Sequence, residues 1–287
     1  MLFSRSISFE VILGLIELAR PVNCLIGFCS ILAAAFVARG ALAPLRDVMV
    51  AGLSGMFILA GGNAINDVLD VDIDRINRPM RPLPSGRISR RLAVMEAGFL
   101  FFVGVISGGT IGRLVGGIAL LAVGLLILYS AWLKRTVLWG NLSVSALGGL
   151  AFLYGGLAAE RMRAAWVPAI LAFFFHFGRE VLKDMEDVEG DRSAQANTFP
   201  VRFGLRRASL LAMLIYGVLV FLSPVPFLLG LYRWPYLVVV VLGVDGVVAY
   251  AIGSLWKDRS PRNLVRLSGL LKADMLIGLM AIVVGRG

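Results

Sequence analysis

Apolar stretches of about 20 residues recur along this chain, separated by short segments that carry charge, proline or glycine. Stretches of that length match an α-helix that crosses the hydrocarbon core of a bilayer. The pattern predicts an all-α membrane protein with nine spans, in which residues 1–287 form a single domain. The predicted spans are residues 17–38, 47–66, 92–111, 114–133, 140–159, 164–183, 207–230, 235–256 and 264–285.

The composition supports this prediction and excludes a water-soluble domain. The chain has 287 residues, of which 59% are hydrophobic and 16% charged, whereas a soluble domain carries about 25% charged residues. Cys24 and Cys29 both fall in the first predicted span, so neither a disulfide framework nor thiol chemistry is indicated. The mixed segment before that span lacks the cleavage site of a signal peptide, so we expect the span to stay in the mature protein.

The net charge of +10 indicates how the spans are oriented. If the N-terminus is inside, most lysine and arginine residues fall in the inner segments and few in the outer ones. The positive-inside rule therefore predicts a multi-pass protein of the cell membrane with a cytoplasmic N-terminus. We expect no nucleic-acid partner, because the positive charge borders the spans and forms no patch interleaved with aromatic residues. The sequence indicates no obligate protein partner either.

Two cytoplasmic segments, residues 63–81 and 180–192, carry the same spacing of aspartates, and we name them the first and second acidic segments. The aspartates recur at one offset of 117 positions, as Asp67, Asp70 and Asp74 and then as Asp184, Asp187 and Asp191. This recurrence predicts an internal repeat whose two halves present equivalent helix ends to one cavity. On a helix, each trio would form one stripe that runs off the cytoplasmic end of a span.

Carboxylates stacked on one helix face repel one another, so we expect a positive charge that compensates them. Mg²⁺ fits this role, because it binds one or two carboxylates and fills its other positions with waters and phosphate oxygens. The acidic segments therefore predict a Mg²⁺ site for a diphosphate. Solvated loop charges and the cation site of an ion-coupled transporter are the alternatives. The clustering of the acids at one membrane face, instead of along a path through it, argues against the transporter.

These residues resemble a known family. The segment from Asn66 to Asp74, followed by two Arg-Pro pairs, resembles the first signature of the UbiA superfamily of intramembrane prenyltransferases. The spacing from Asp187 to Asp191 resembles the second signature, and the resemblance extends from about residue 18 to residue 284. Residues 20–25 (RPVNCL) and 179–191 (REVLKDMEDVEGD) are most similar to one subgroup, the digeranylgeranylglyceryl phosphate synthases.

The resemblance implies a bundle of nine helices around a central cavity and a Mg²⁺-dependent reaction. In that reaction a geranylgeranyl group passes from geranylgeranyl diphosphate to the free hydroxyl of geranylgeranylglyceryl phosphate, which gives a diether precursor of membrane lipids. An aromatic prenyltransferase of a quinone, haem or chlorophyll pathway is the alternative within the same fold. That alternative needs no second phosphate site.

The resemblance also assigns roles to individual residues. Carried over by motif, the ligands of the metal and diphosphate are Asn66, Asp70, Asp74, Asp187 and Asp191. Further catalytic residues are Asp67, Asp184, Tyr129 and Lys134, of which the last two match a tyrosine and a lysine that the family places near the diphosphate.

Basic residues complete the predicted site. The residues expected to hold the diphosphate, beside Lys134, are Arg78, Arg81 and Lys183. The residues expected to bind the acceptor, which brings a phosphate of its own, are Arg20, Asn23, Arg179 and Lys272. For Lys272 the alternatives are an ion pair with Asp274 or with a neighbouring helix, or an ammonium group that reaches the membrane surface. A lysine inside an apolar span is costly unless it is paired or functional.

Overall fold

The computed structural model describes residues 9–286, apart from the side chains of Ile76 and Asn77. The segment before Phe9, predicted to be cytoplasmic, therefore lies outside the described residues. All regular structure in the described part is helical. Nine helical segments there are long and apolar enough to cross a membrane, which confirms the predicted number of spans. These segments are Pro21–Arg39, Leu45–Leu69, Arg90–Ile111, Arg113–Ala131, Trp139–Ala158, Met162–Glu186, Leu205–Leu228, Trp234–Lys257 and Pro261–Gly285.

The α-helices are numbered in chain order. They are α1 (Phe9–Ala19), α2 (Pro21–Arg39), α3 (Leu45–Leu69), α4 (Val71–Asn77), α5 (Arg90–Ile111), α6 (Arg113–Ala131), α7 (Trp139–Ala158), α8 (Trp166–Glu186), α9 (Val188–Ser193), α10 (Phe199–Phe203), α11 (Leu205–Leu222), α12 (Val225–Leu228), α13 (Trp234–Val239), α14 (Gly246–Lys257) and α15 (Pro261–Gly285). Two 3₁₀ turns, Leu133–Arg135 and Met162–Ala165, and one π-helical stretch, Val240–Asp245, lie between them.

The chain forms two compact units. Among the described residues, the first unit contains residues 9–28 and 50–131, and the second contains residues 29–49 and 132–286. Helices α2 and α3 each contribute to both units. The first acidic segment belongs to the first unit and the second acidic segment to the second unit, so each unit carries one aspartate trio.

The first predicted span is shorter than expected, because the helix is interrupted at Arg20. This residue has a φ of 54°, in the left-handed region that side chains other than glycine rarely adopt. Pro21 follows at the first position of α2, where its missing N–H costs no helical hydrogen bond. As a result, α1 is a separate helix that the sequence analysis did not predict.

The helices also break inside both acidic segments, at the middle aspartate of each trio, which the sequence analysis did not predict. Helix α3 ends one residue before Asp70, and α4 begins one residue after it. The same break separates α8 from α9 at Asp187. The backbone angles agree closely, with φ and ψ of −99° and 2° at Asp70 and of −91° and 7° at Asp187. The internal repeat is therefore visible in the backbone of each segment as well as in its sequence.

In the first unit, small residues bring α3 and α5 close together. A Cβ at Gly104 would lie 3.0 Å from the backbone oxygen of Ser54, and one at Gly61 would meet the Phe101 ring. The fully buried Ser54 donates its hydroxyl to the Gly104 oxygen at 2.7 Å. Close contacts of this kind stabilise pairs of membrane helices, for which hydrophobic burial alone gives little driving force.

In the second unit, α8 packs against α7, α11 and α15. A Cβ at Gly149 of α7 would lie 2.9 Å from the backbone oxygen of Ala169, and one at Gly178 of α8 would lie 2.6 Å from the Tyr216 ring. Tyr216 itself is fully buried in the core of this unit. These contacts fix α8, which carries the second aspartate trio at its C-terminal end, against three neighbouring helices.

We expect Gly155→Ala to lower the thermal stability of the detergent-solubilised protein. A Cβ at Gly155 would overlap the backbone oxygen of Ile31 within the second unit, and overpacking of this kind costs about 1–3 kcal/mol. The measurement is the folded fraction after heating, read by size-exclusion chromatography. Gly124→Ala is the matched control, because a Cβ there meets no atom within 4 Å. Equal heat resistance of the two variants would contradict the close approach of α7 to α2.

Candidate active site

The first acidic segment is held by two arginines. Asp67, at the end of α3, has a side chain that is only 4% exposed. Its Oδ1 accepts hydrogen bonds from Arg20 and, at 3.3 Å, from Nη1 of Arg81. The same Arg81 nitrogen lies 2.6 Å from Oδ2 of Asp74. Arg81 therefore bridges the first and third aspartates of the trio across the helix break.

This network supplies part of the positive charge that the sequence analysis assigned to a metal. Asp67 and Asp74 are both buried, and burial of an unpaired carboxylate costs several kcal/mol. Arg20 and Arg81, predicted to bind the substrates, offset that cost by lying against carboxylates. Asp67 is consequently ion-paired within the protein.

The middle aspartate of the first trio has a different partner. Asn66 donates its Nδ2 to Oδ2 of Asp70 at 3.0 Å. Both residues are half-buried, and Asp70 lies at the junction of α3 and α4. The structure therefore brings together two of the predicted metal ligands. Arg78 follows α4 directly and is exposed.

The second acidic segment is held by neutral donors. Asn141, which is buried in the first turn of α7, donates to Oδ2 of Asp184 at 2.8 Å. Thr198, just before α10, donates its hydroxyl to Oδ2 of Asp191 at 2.9 Å. Asp187 lies at the junction of α8 and α9, as Asp70 does at the junction of α3 and α4. Neither Asn141 nor Thr198 was predicted as a site residue.

The last aspartate of each trio has a partner at the same distance along the chain. Asp74 and Asp191 are bound by Arg81 and Thr198, and each donor lies seven positions after its aspartate. In both units the loop after the trio thus folds back on the third carboxylate. The donor is a cation in the first unit and a hydroxyl in the second, so the second trio receives less positive charge from this contact.

A buried glutamate organises the basic residues of α8. Glu180, with a side chain 7% exposed, accepts a hydrogen bond from Arg179 at 3.1 Å and lies 3.9 Å from Nζ of Lys183. Nε of Arg179 is buried and has no hydrogen-bond partner among the described residues. The sequence analysis did not nominate Glu180, although a glutamate three positions before a lysine inside an apolar span was an available signal.

The remaining predicted residues lie on separate elements. Lys134 lies in the 3₁₀ turn Leu133–Arg135. The backbone N–H of Asn197 donates a 2.8 Å hydrogen bond to the backbone oxygen of Arg135 in this turn. Tyr129 lies near the end of α6, in the first unit. Asn23 is in the first turn of α2, and Lys272 lies in the middle of α15. Lys272 does not pair with Asp274, both of whose carboxylate oxygens lack a partner in the described part of the chain, so that alternative is wrong.

The predicted metal ligands fit Mg²⁺ better than a metal ion that protein side chains alone must coordinate. Within residues 9–286 no group of three or more histidine, cysteine or acidic side chains is arranged to hold a metal ion. Mg²⁺ does not require such a group, because waters and substrate phosphates supply most of its ligands. Asn66 and Asp70, and separately Asp187, offer the oxygen donors that Mg²⁺ prefers. Asp67 fits least, because two arginines already bind it.

The chain belongs to the UbiA prenyltransferase family, which matches residues 27–272. It is therefore a multi-pass membrane protein and a prenyltransferase, as the sequence motifs predicted. The digeranylgeranylglyceryl phosphate synthase of Methanopyrus kandleri is 38% identical over 268 residues, which cover 93% of this chain and 96% of the relative. The enzyme of the same name from Halobacterium salinarum is 39% identical over 274 residues, which cover 95% of this chain and 97% of the relative.

Solved structures agree with this assignment. A digeranylgeranylglyceryl phosphate synthase structure has a TM-score of 0.80 and 29% sequence identity, and the match covers 97% of this chain and 99% of the other. A UbiA homologue from Archaeoglobus fulgidus bound to DMAPP and Mg²⁺ has a TM-score of 0.67 and 23% identity, and covers 94% and 99%. The predicted all-α membrane fold of UbiA type is confirmed.

We expect Arg81→Ala to destabilise the protein on the order of 3 kcal/mol, because it removes a cation shared by two buried carboxylates. Arg75→Ala is the control from the same segment. Arg75 pairs with Asp72 at 2.8 Å, but both side chains are more than half exposed, and such pairs contribute about 0–1 kcal/mol. Denaturant unfolding in detergent measures both variants. An equal loss of unfolding free energy in the two variants would show that the Arg81 bridge between Asp67 and Asp74 does not stabilise the fold.

Proposed function

We propose that the protein transfers a geranylgeranyl group from geranylgeranyl diphosphate to the free hydroxyl of geranylgeranylglyceryl phosphate. The observation that carries the proposal is the duplicated helix break, which leaves Asp70 and Asp187 at equivalent junctions. The relatives named for this product, which match almost the whole chain, support the choice of substrates. We further propose that residues 1–287 act as one catalytic domain, since the family match includes both units.

In this proposal the two acidic segments bind the diphosphate together with Mg²⁺. The proposed metal ligands are Asn66, Asp70, Asp74, Asp187 and Asp191. The Archaeoglobus fulgidus homologue with DMAPP and Mg²⁺ supports this use of the metal. Bound Mg²⁺ would neutralise the charge that develops on the diphosphate oxygens. The carboxylates and the amide oxygen of Asn66 would hold the ion. The positive-inside rule supports a position of these segments at the cytoplasmic face of the cell membrane.

Basic side chains assist departure of the diphosphate. Breaking the bond between the allylic carbon and oxygen leaves a resonance-stabilised cation and a more negative leaving group. Preorganised positive groups lower the barrier to this separation of charge. Arg78, Arg81, Lys134 and Lys183 are the proposed cations, with Tyr129 near the same group. The apolar spans exclude water, which would otherwise capture the cation.

The acceptor requires a second phosphate site, which we assign to Arg179 and Lys272. Arg179 supports this role because its buried Nε has no partner among the described residues. Glu180 binds the other side of that guanidinium and lies near Lys183, so it fixes the direction of both cations. Arg20, at the break between α1 and α2, and Asn23, in the first turn of α2, are proposed to contact the substrate. Asp67 holds the Arg20 guanidinium in place.

We expect Asp70→Ala and Asp187→Ala each to abolish turnover at every Mg²⁺ concentration while leaving the helical circular dichroism unchanged. Each substitution removes a charged oxygen ligand at a helix break. Asp72→Ala is the matched control, because Asp72 is exposed and pairs with Arg75. Near-normal activity of either trio variant would contradict the metal assignment.

The substrate assignment is tested by product mass. The purified protein is incubated with geranylgeranyl diphosphate and one acceptor at a time, either geranylgeranylglyceryl phosphate or an aromatic compound. A diether phosphate formed only with the first acceptor supports the proposal. A product formed only with the aromatic acceptor, or ion flux across proteoliposomes without any prenylated product, would overturn it.

A further inference from the structure

Helix α1 presents one exposed apolar face. Its four large exposed residues, each 45–73% exposed, are Phe9, Ile12, Leu13 and Ile16, and we name them the surface face of α1. On a helix they fall within a sector about 100° wide. Gly14 and Leu18 lie on the opposite side and are buried. Glu10 and Glu17 are exposed and lie between the two sides. A helix divided in this way fits a boundary between protein and an apolar medium.

The buried side of α1 is fixed to the loop that joins the first acidic segment to α5. A Cβ at Gly14 would lie 2.9 Å from Cδ1 of Ile88. Leu18 belongs to the same core cluster as Ile88. At the edge of the contact, Nη2 of Arg87 lies 2.8 Å from Oε2 of Glu17. Protein therefore covers the buried side of α1 and determines the direction in which the helix runs.

Helix α1 runs along the plane in which two spans begin. Its last residue, Ala19, lies two positions before α2, and Ile88, which Gly14 contacts, lies two positions before α5. Both α2 and α5 are long and apolar enough to cross a membrane, and α3 is the one span between them in the chain, so α2 and α5 begin at the same membrane face. Two points of α1, separated by about 7–8 Å along its axis, are thus level with the start of a span.

The length of α1 excludes a further crossing of the membrane. The helix has 11 residues, so it is about 16 Å long, whereas the hydrocarbon core of a bilayer is about 30 Å thick. The surface face must therefore be accommodated at the boundary of the membrane.

We propose that α1 lies in the surface of the bilayer, with its surface face embedded among the lipid headgroups and the upper acyl chains. Helices of this kind bury an apolar face about 5–10 Å into that boundary. The bilayer is the proposed occupant because α1 starts no new element away from the membrane and instead adjoins the beginnings of two spans. The exposed polar residues of α1 are the two glutamates, so the contact does not require anionic lipid.

This position connects the membrane surface with the first aspartate trio. Arg20 follows α1 directly and binds Asp67. Arg81, which also binds Asp67, directly precedes the loop on which α1 packs. The bilayer contact of α1 thus supports both arginines at the depth where lipid phosphates lie. The inference does not depend on the identity of the substrates, and its failure would leave the proposed function untouched.

The test measures the depth of α1 in nanodiscs of phosphatidylcholine. Leu13→Cys, Ile16→Cys and, as the matched control, Glu10→Cys are made one at a time in the full chain with Cys24→Ser and Cys29→Ala. Each introduced cysteine carries a nitroxide, and electron paramagnetic resonance gives its collision rates with oxygen, which dissolves in lipid, and with a water-soluble nickel complex. The ratio of the two rates should be at least about fivefold higher at Leu13 and Ile16 than at Glu10, because only the surface face enters the lipid.

Two results would overturn the inference. Equal ratios at the three positions would mean that water surrounds every exposed side of α1. Low collision rates with both reagents at Leu13 and Ile16 would mean that protein, such as a second copy of the chain, covers the surface face.

A second measurement serves if a labelled chain does not fold. The fluorescence that Ile12→Trp adds to that of the native chain should be quenched more strongly by lipid brominated near the headgroup than by lipid brominated at the chain end. Any other order of quenching, or no quenching by either lipid, would equally contradict a helix at the membrane surface.

Discussion

A buried carboxylate at the end of an apolar helix needs an ion pair or a hydrogen-bond donor, and this requirement determines the contacts of both acidic segments. Low polarity makes an unpaired charge expensive, whereas a paired one is tolerated. The first unit meets the requirement with Arg20 and Arg81, which together bind two of its three aspartates. The second unit uses the amide of Asn141 and the hydroxyl of Thr198. The two segments thus share one backbone design but differ in the charge of these donors.

The helix break at the middle aspartate explains how one trio can perform two tasks. If α3 and α4 were one helix, all three carboxylates would lie on a single face and repel one another. In the structure the first and third carboxylates share one nitrogen of Arg81, while the middle one, at the break, accepts a hydrogen bond from Asn66. The same break occurs at Asp187. Neighbouring aspartates of one short motif therefore have different partners.

The sequence predicted the spans well because an apolar run of about 20 residues has few alternatives in a membrane. It also located the aspartates, since their spacing repeats. It did not predict the breaks at Arg20, Asp70 and Asp187, because a hydrophobic pattern does not record a local backbone turn. Nor did it predict the partners of those aspartates. Arg20 lies 47 positions from Asp67, and Asn141 lies 43 positions from Asp184. Such pairings depend on which helices pack together, and Glu180 was overlooked because its role exists only through its contacts with Arg179 and Lys183.

The shared nitrogen of Arg81 has a consequence for the order of events during substrate entry. One guanidinium now serves Asp67 and Asp74. If Asp74 is a ligand of Mg²⁺ as proposed, Arg81 would no longer be needed as its counterion and could bind the diphosphate. Before the metal binds, Arg81 would thus hold the Asp74 carboxylate in position.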